Sequence, residues 1–213
     1  MRHPWPVLAL LALILGAAPA QAQDTAAVHA DTGGVPFALP DSLRCALYTV
    51  ALEHLSPDTA RGALVVLDST FNGIYRAAHH AYTTQRAPGP PADAALTRAD
   101  YDALRAANQV RWAVPRCIVR TVPTRYVGFA TLATFFQGPE RATGWERFRV
   151  AFSGASGFVV LSRPYLSADG TEALLYLAAH HDWLSGHGQV LRLRREASSG
   201  TWRVIGSTRV WVS

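Results

Sequence analysis

Gln189-Val190-Leu191-Arg192-Leu193-Arg194 is the stretch on which the reading of the fold turns. Apolar and charged residues alternate with period two, so Leu191 and Leu193 point to one side while Arg192 and Arg194 point to the other, as in a half-buried strand. Trp202-Arg203-Val204 repeats the pattern a few residues later. Between them Ser198-Ser199-Gly200 supplies a reversal, because glycine accepts the positive φ that tight turns require. Upstream, Ala168-Asp169-Gly170 offers a second reversal into residues 172–179, where Leu174 to Ala179 is almost wholly apolar. Such a run suits a central strand covered on both faces. Working outward, residues 117–122, 147–152, 158–162 and 208–212 carry similar β-branched or aromatic runs, and 202–206 closes the set. The second half therefore reads as an antiparallel meander sheet.

The first half reads differently. Asp41 stands where a carboxylate can cap a helix over residues 42–55, with Leu43, Leu47 and Val50 at helical spacing and Pro57 as a stop. A short Val-rich strand is expected at 63–69 and a helix at 71–82 that ends near His79 and His80. Ala87-Pro88-Gly89-Pro90-Pro91 breaks all regular structure. Thr97 with Asp100 forms a capping pattern for a helix over 98–109, whose apolar side is Tyr101, Leu104 and Ala107. The expectation is an α+β fold with N-terminal helices packed on one face of a C-terminal antiparallel meander sheet. It comprises a single domain over 41–213, helical over 41–115 and sheet over 116–213.

Of 213 residues, 49% are hydrophobic and 16% charged, a globular composition. All 20 basic residues counted as Lys or Arg are Arg. Schiff-base chemistry, a Ser-Lys dyad and the phosphate-binding lysine of a P-loop are thereby excluded. Residues 1–22 read as a secretory signal: Arg2 and His3 precede an apolar run over 7–18, and Ala20-Gln21-Ala22 forms a small-residue cleavage site. That run is shorter than the ~20 residues needed to span a bilayer. The mature chain is expected to be soluble, without a transmembrane segment, in the periplasm or outside the cell, with residues 23–40 as a flexible leader. Loss of Arg2 takes the formal charge from +5 to +4. An exported chain rarely meets nucleic acid, so an anionic small molecule or acidic glycan is the partner class that this balance suggests. Cys45 and Cys117, with 71 residues between them, are read most simply as one disulfide, against two buried free thiols. Closing a loop of that size is worth roughly 4 kcal/mol in the chain-entropy picture.

Leu161-Ser162-Arg163-Pro164, Asp169-Gly170-Thr171, Ala173-Leu174-Leu175-Tyr176, Leu184-Ser185-Gly186-His187-Gly188, Trp202-Arg203-Val204 and Trp211-Val212-Ser213 together resemble the C-terminal domain of a group of uncharacterised exported bacterial proteins. The resemblance implies a shared domain and carries no activity. Members of that group often hold cysteines where His181 and Ser185 stand here, so thiol chemistry at this loop is not implied for this chain.

His180-His181-Asp182-Trp183-Leu184-Ser185-Gly186-His187-Gly188 is the densest polar cluster. His180 and Asp182 share a strand face, and a glycine-flexed loop can return His187 toward them, as an open divalent-metal site requires. His79 and His80 are further candidate ligands. Ordinary solvated loop histidines are the plainer reading. Gly154-Ala155-Ser156-Gly157 begins like a nucleophile elbow, but Phe158 replaces the required glycine. The glutamates at 53, 140, 146, 172 and 196 form no pair for acid/base work. Arg163, Arg192, Arg194 and Arg203, with Arg209, make a candidate anion-binding face, set against a merely solvated strand face. Trp145, Trp202 and Trp211 read as core. The functional expectation is a non-enzymatic binding or structural module with no cofactor. The alternative is a metal-assisted hydrolase using His180, His181, Asp182 and His187.

Overall fold

The computed structural model describes residues 28–29, 39–55, 63–70, 96–118, 123–137, 141–182 and 185–212. The expected signal, Pro57, the 71–82 helix with His79 and His80, and the Pro-Gly run lie outside the described residues.

The end of the chain follows the sequence closely. Strands β7 (Glu172–Asp182), β8 (Ser185–Arg195) and β9 (Trp202–Val212) form an antiparallel meander. The runs expected at 202–206 and 208–212 are one strand, bent by register shifts opposite Gly188/Gln189 and Arg192/Leu193. Gly170 and Gly200, with φ of 71° and 72°, make the reversals at 168–170 and 198–200.

The other edge of the sheet departs from expectation. Strand β2 (Ala63–Leu67) pairs in parallel with both β4 (Thr124–Val127) and β5 (Ala155–Leu161), and β5 then pairs antiparallel with β7. The order is β4-β2-β5-β7-β8-β9, with the short β6 (Tyr165–Leu166) also on β7. The sheet is therefore mixed, and the meander accounts for only part of it. A further small sheet pairs β1 (Val28–His29) with β3 (Arg111–Trp112).

Helices cover both faces, which corrects the one-face arrangement. Helix α1 (Asp41–Glu53) packs Leu47, Tyr48, Ala51 and Leu52 on the face that carries Leu64, Val66, Val159, Leu175, Leu177, Leu191 and Leu193. On the opposite face α2 (Arg98–Ala107), α3 (Phe129–Phe135) and α4 (Arg141–Ala151) bring Tyr101, Leu104, Leu132, Trp145 and Phe148 onto Val65, Val160, Tyr176 and Val190. Burial of β7 from both sides explains its unbroken apolar run. Two of the helices, α3 and α4, lie C-terminal to residue 116, inside the half read as sheet.

Local chemistry accounts for the helix starts. Thr97 and Asp100 form the expected capping box: the Asp100 amide donates to Thr97 Oγ1 at 3.1 Å and the Thr97 amide donates to Asp100 Oδ2 at 3.0 Å. Asp41, by contrast, lies inside the first turn of α1; the cap position is Pro40, and the Asp41 carboxylate accepts from Arg44. The strand expected at 147–152 is helix α4. There Trp145, Phe148 and Phe152 fall on one helical face, in contact with one another and with Phe135 and Phe158. Cys117 and Ile118 are not in a strand, and 119–122 lie outside the described residues. Cys45 on α1 and Cys117 stand at disulfide distance, their Cα atoms 5.7 Å apart.

Several residues that carry the C-terminal resemblance meet at one place in the sheet. Trp211 lies across β8 and donates from Nε1 to the Tyr176 hydroxyl on β7 at 2.8 Å. It crosses directly over Gly188, where any Cβ would fall 2.2 Å from Trp211 Nε1 and 2.7 Å from the Tyr176 hydroxyl. Gly186 leaves room for the far edge of the same ring. Ser162 Oγ accepts the Tyr176 amide at 2.8 Å, and Asp169 holds the β6–β7 turn through Ser167 and Thr171. These hydrogen bonds hold the Asp169 carboxyl down at about 2. In this chain those residues build the fold.

Candidate ligand site at the carboxyl ends of the parallel strands

The parallel strands β2, β4 and β5 share one carboxyl end. The chain leaves β2 for β4 on one side and returns to β5 on the other, so a topological switch falls at β2. In open sheets that contain parallel strands, this is where backbones diverge and leave a crevice.

Polar side chains gather there. Beyond β2 come Asp68, Ser69 and Thr70; beyond β5 come Ser162 and Arg163; α2 ends at Asn108, and β3 contributes Arg111 and Trp112. Ser69, Thr70, Asn108, Arg111, Ser162 and Arg163 are all buried. Arg44 reaches in from α1, donating to the Ala113 carbonyl at 2.9 Å. Among the described residues Thr208 is the remaining buried polar side chain, and it lies on β9.

Hydrogen bonds tie the segments together. The Thr70 amide donates to the Trp112 carbonyl at 2.7 Å, and the Trp112 amide returns a bond to Thr70 Oγ1 at 2.9 Å. The Val114 amide donates to the Asp68 carbonyl at 2.8 Å, and the Asp68 amide to the Val127 carbonyl at 2.9 Å. Asn108 clamps the backbone of Arg163 from both sides, accepting its amide at 2.7 Å and donating to its carbonyl at 2.9 Å. Two of the three buried arginines lie on aromatic rings: Arg163 over Trp112 at 3.8 Å and Arg111 over Phe129 at 4.6 Å. The planar fork of a guanidinium suits a carboxylate or phosphate.

An apolar cleft adjoins this cluster. It encloses ≈410 Å³ between α2 and residues 163–168, with Ala103, Ala106 and Ala107 on one wall, Tyr165 and Leu166 on the other, and Leu39 at its edge. Arg163 is the charged residue of its lining among the described residues. The volume lies at the small end of the 300–1,000 Å³ span of ligand pockets.

Of the arginines singled out in the sequence, Arg163 belongs to this site and the others stand apart from it. Arg192 pairs with Glu172 at 3.1 Å and with Asp100, so it joins the start of α2 to the sheet. Arg194 pairs with Glu172 at 2.7 Å, and Arg203 with Glu196 at 3.2 Å. Carboxylates of the same chain thus hold all three. The sequence reading missed Arg111, Asn108 and Thr70. They come from segments far apart in the chain, with no spacing to mark them; a charged Arg beside Trp112 in an otherwise apolar stretch was the available signal.

The histidine cluster divides between the two faces of the sheet. His180 stacks on Phe158 at 4.8 Å and against Trp211 at 5.2 Å, and burial first, then His181 and His187, pull its pKa down to about 4. Asp182 pairs with Arg149 of α4 at 2.8 Å. His187 lies opposite Ala179, on the α1 side, with its ring 6.3 Å from that of His181. Burial, His181 and Arg209 lower its pKa. No grouping of three or more His, Cys, Asp or Glu able to hold a metal ion occurs among the described residues. Ser156 lies within β5, not on a strand-to-helix elbow.

No protein family, curated protein or solved structure matches the chain. Among the described residues no helix is long and apolar enough to cross a membrane.

Proposed function

We propose that this protein is an exported, non-enzymatic binding module whose seat is the crevice at the carboxyl ends of β2, β4 and β5, and whose ligand carries negative charge. One observation carries the reading: Arg163, buried on Trp112 and clamped through its backbone by Asn108, lines an apolar cleft at a topological switch. Low local dielectric strengthens charge-assisted hydrogen bonds there, and the fixed scaffold removes the cost of ordering the site on binding. The cysteine pair at disulfide distance and the signal-like N-terminus support an oxidising, exported setting.

Thermal melts at constant ionic strength with acetate, phosphate and a uronate test this. At least one anion raises the midpoint, the rise disappears in Arg163→Gln, and it persists in the double variant Arg194→Ser, Arg203→Ser. Loss of the rise in the double variant with retention in Arg163→Gln moves the seat to the outer arginine face and refutes the assignment.

A further inference from the structure

We infer that the Cys45–Cys117 pair is a redox-sensitive latch on the polar crevice: an external dithiol reaches it from the Cys117 side, and its reduction frees residues 113–118 and with them the Trp112 edge of the crevice. The inference needs no ligand and is independent of the anion reading above.

The two sulfurs sit in unlike surroundings. Cys45 is buried on α1, 8% exposed, whereas Cys117 is exposed and lies outside any helix or strand. Arg116, exposed beside it and over the Tyr126 ring at 5.7 Å, places a positive charge where an incoming thiolate approaches. A thiolate of the dithiol attacks Cys117 Sγ, the S–S bond breaks, and Cys45 Sγ leaves with the electron pair and takes up a proton. The second thiol of the dithiol then displaces Cys117 from the mixed disulfide. The reductant is thereby oxidised to a disulfide and the protein pair is reduced to two thiols. Helix α1 keeps its place without the bond, because Leu47, Tyr48, Ala51 and Leu52 bury it on the sheet. The other partner is held by less. Four residues, 113–116, separate Cys117 from Trp112. The Val114 amide donates to the Asp68 carbonyl at 2.8 Å, the Ala113 carbonyl accepts Arg44 Nη1 at 2.9 Å, and the Pro115 carbonyl accepts the Tyr126 hydroxyl at 3.3 Å. Arg44 and Cys45 are neighbours on α1, so the hydrogen bond and the disulfide pin one segment to one helix turn. Trp112 in turn exchanges two hydrogen bonds with Thr70 and carries Arg163 on its ring. Slack introduced at Cys117 therefore runs into the crevice, while β7, β8 and β9 lie beyond β5.

Amide hydrogen exchange of the full mature chain, oxidised and in dithiothreitol without denaturant, tests the latch, with thiols counted by intact mass after alkylation. The bond is expected in the isolated protein and is expected to open in native buffer, with iodoacetamide reaching Cys117 before Cys45. Loss of the cross-link acts on the unfolded chain and lowers the protection of all globally exchanging amides alike. The latch adds a local loss, so protection at Thr70, Trp112 and Val114 is expected to fall about tenfold further than along the β7–β8 pair. The double variant Cys45→Ser, Cys117→Ser reproduces that pattern without reductant. Two free thiols in the isolated protein, a bond that opens only in denaturant, alkylation of Cys45 first, or an equal fall in protection at the crevice and along β7–β8 overturns the inference. None of these outcomes touches the anion reading, whose own test is the thermal shift.

Discussion

Replacing Gly188 by alanine tests how Trp211 is seated. The new Cβ lands 2.2 Å from Trp211 Nε1 and 2.7 Å from the Tyr176 hydroxyl, closer than any real contact allows, so the indole must leave its position over β8. Its departure removes the 2.8 Å bond to the hydroxyl of Tyr176, which is buried at 2% exposure. Stranding such a group costs about 1–3 kcal/mol. The ring contact with His180 at 5.2 Å goes as well, about 0.5–1.5 kcal/mol. Against this, alanine is better than glycine in a strand by roughly 0.5–1 kcal/mol. The net loss is about 2 kcal/mol, or a melting point lower by about 4–8 °C for a domain of this size. Urea denaturation of the wild type, Gly188→Ala, Trp211→Ala and the double variant closes a mutant cycle. With Trp211 absent, the cost of Gly188→Ala shrinks to the remaining crowding against the Tyr176 hydroxyl, well below its cost in the wild type. An equal cost in both backgrounds would refute the reasoning.

Two further predictions concern the same face of the sheet. His180, held near 4 against an ordinary 6.5, is neutral in the folded chain while the unfolded chain takes up its proton, so stability is complete above pH 6.5 and falls as pH drops toward 4. The loss by pH 4.5 is on the order of 2–3 kcal/mol; urea midpoints across this window should flatten in His180→Phe, and an unchanged slope in that variant would exclude His180 as the source. In α4, Phe148→Ala is expected to cost about 3–5 kcal/mol because the ring is fully buried, whereas Val150→Glu stays within about 0.5 kcal/mol because Val150 is 83% exposed. A large cost at both positions in chemical denaturation would mean the segment is not helical.

That contrast also shows where sequence pattern and fold part. Arg147-Phe148-Arg149-Val150 alternates with period two and resembles a strand, yet the same residues place Trp145, Phe148 and Phe152 on one helical face. Short apolar segments fit both periods, and tertiary packing of the aromatic side chains selects between them. The capping box at Thr97 and the reversals at Gly170 and Gly200 were legible because their determinants lie within a few residues. The pairing of β2 with β4 and β5 was not, since parallel strands are joined through long connections whose ends carry no local mark. For the same reason Arg163 stood out beside Pro164, while its neighbours Asn108 and Trp112 did not; contact between them exists only once α2 and β3 have docked against the end of β5. Arg192 and Arg194 share a strand face as their alternation implies, whereas Arg209 pairs with Gln189, opposite Leu177 on the α1 side, and Glu172 and Asp100, which hold Arg192, come from another strand and a distant helix.

The central claim, that the ligand seat lies where the parallel strands end, is tested most directly by nitrogen–proton correlation spectra recorded while acetate or phosphate is added. Shifts are expected to concentrate at the Asn108 side-chain amide, the Trp112 indole, Ala103 to Ala107 and Leu166, with β8 and β9 unmoved. Shifts confined to Arg194 and Arg203, or to His181 and His187, would contradict it.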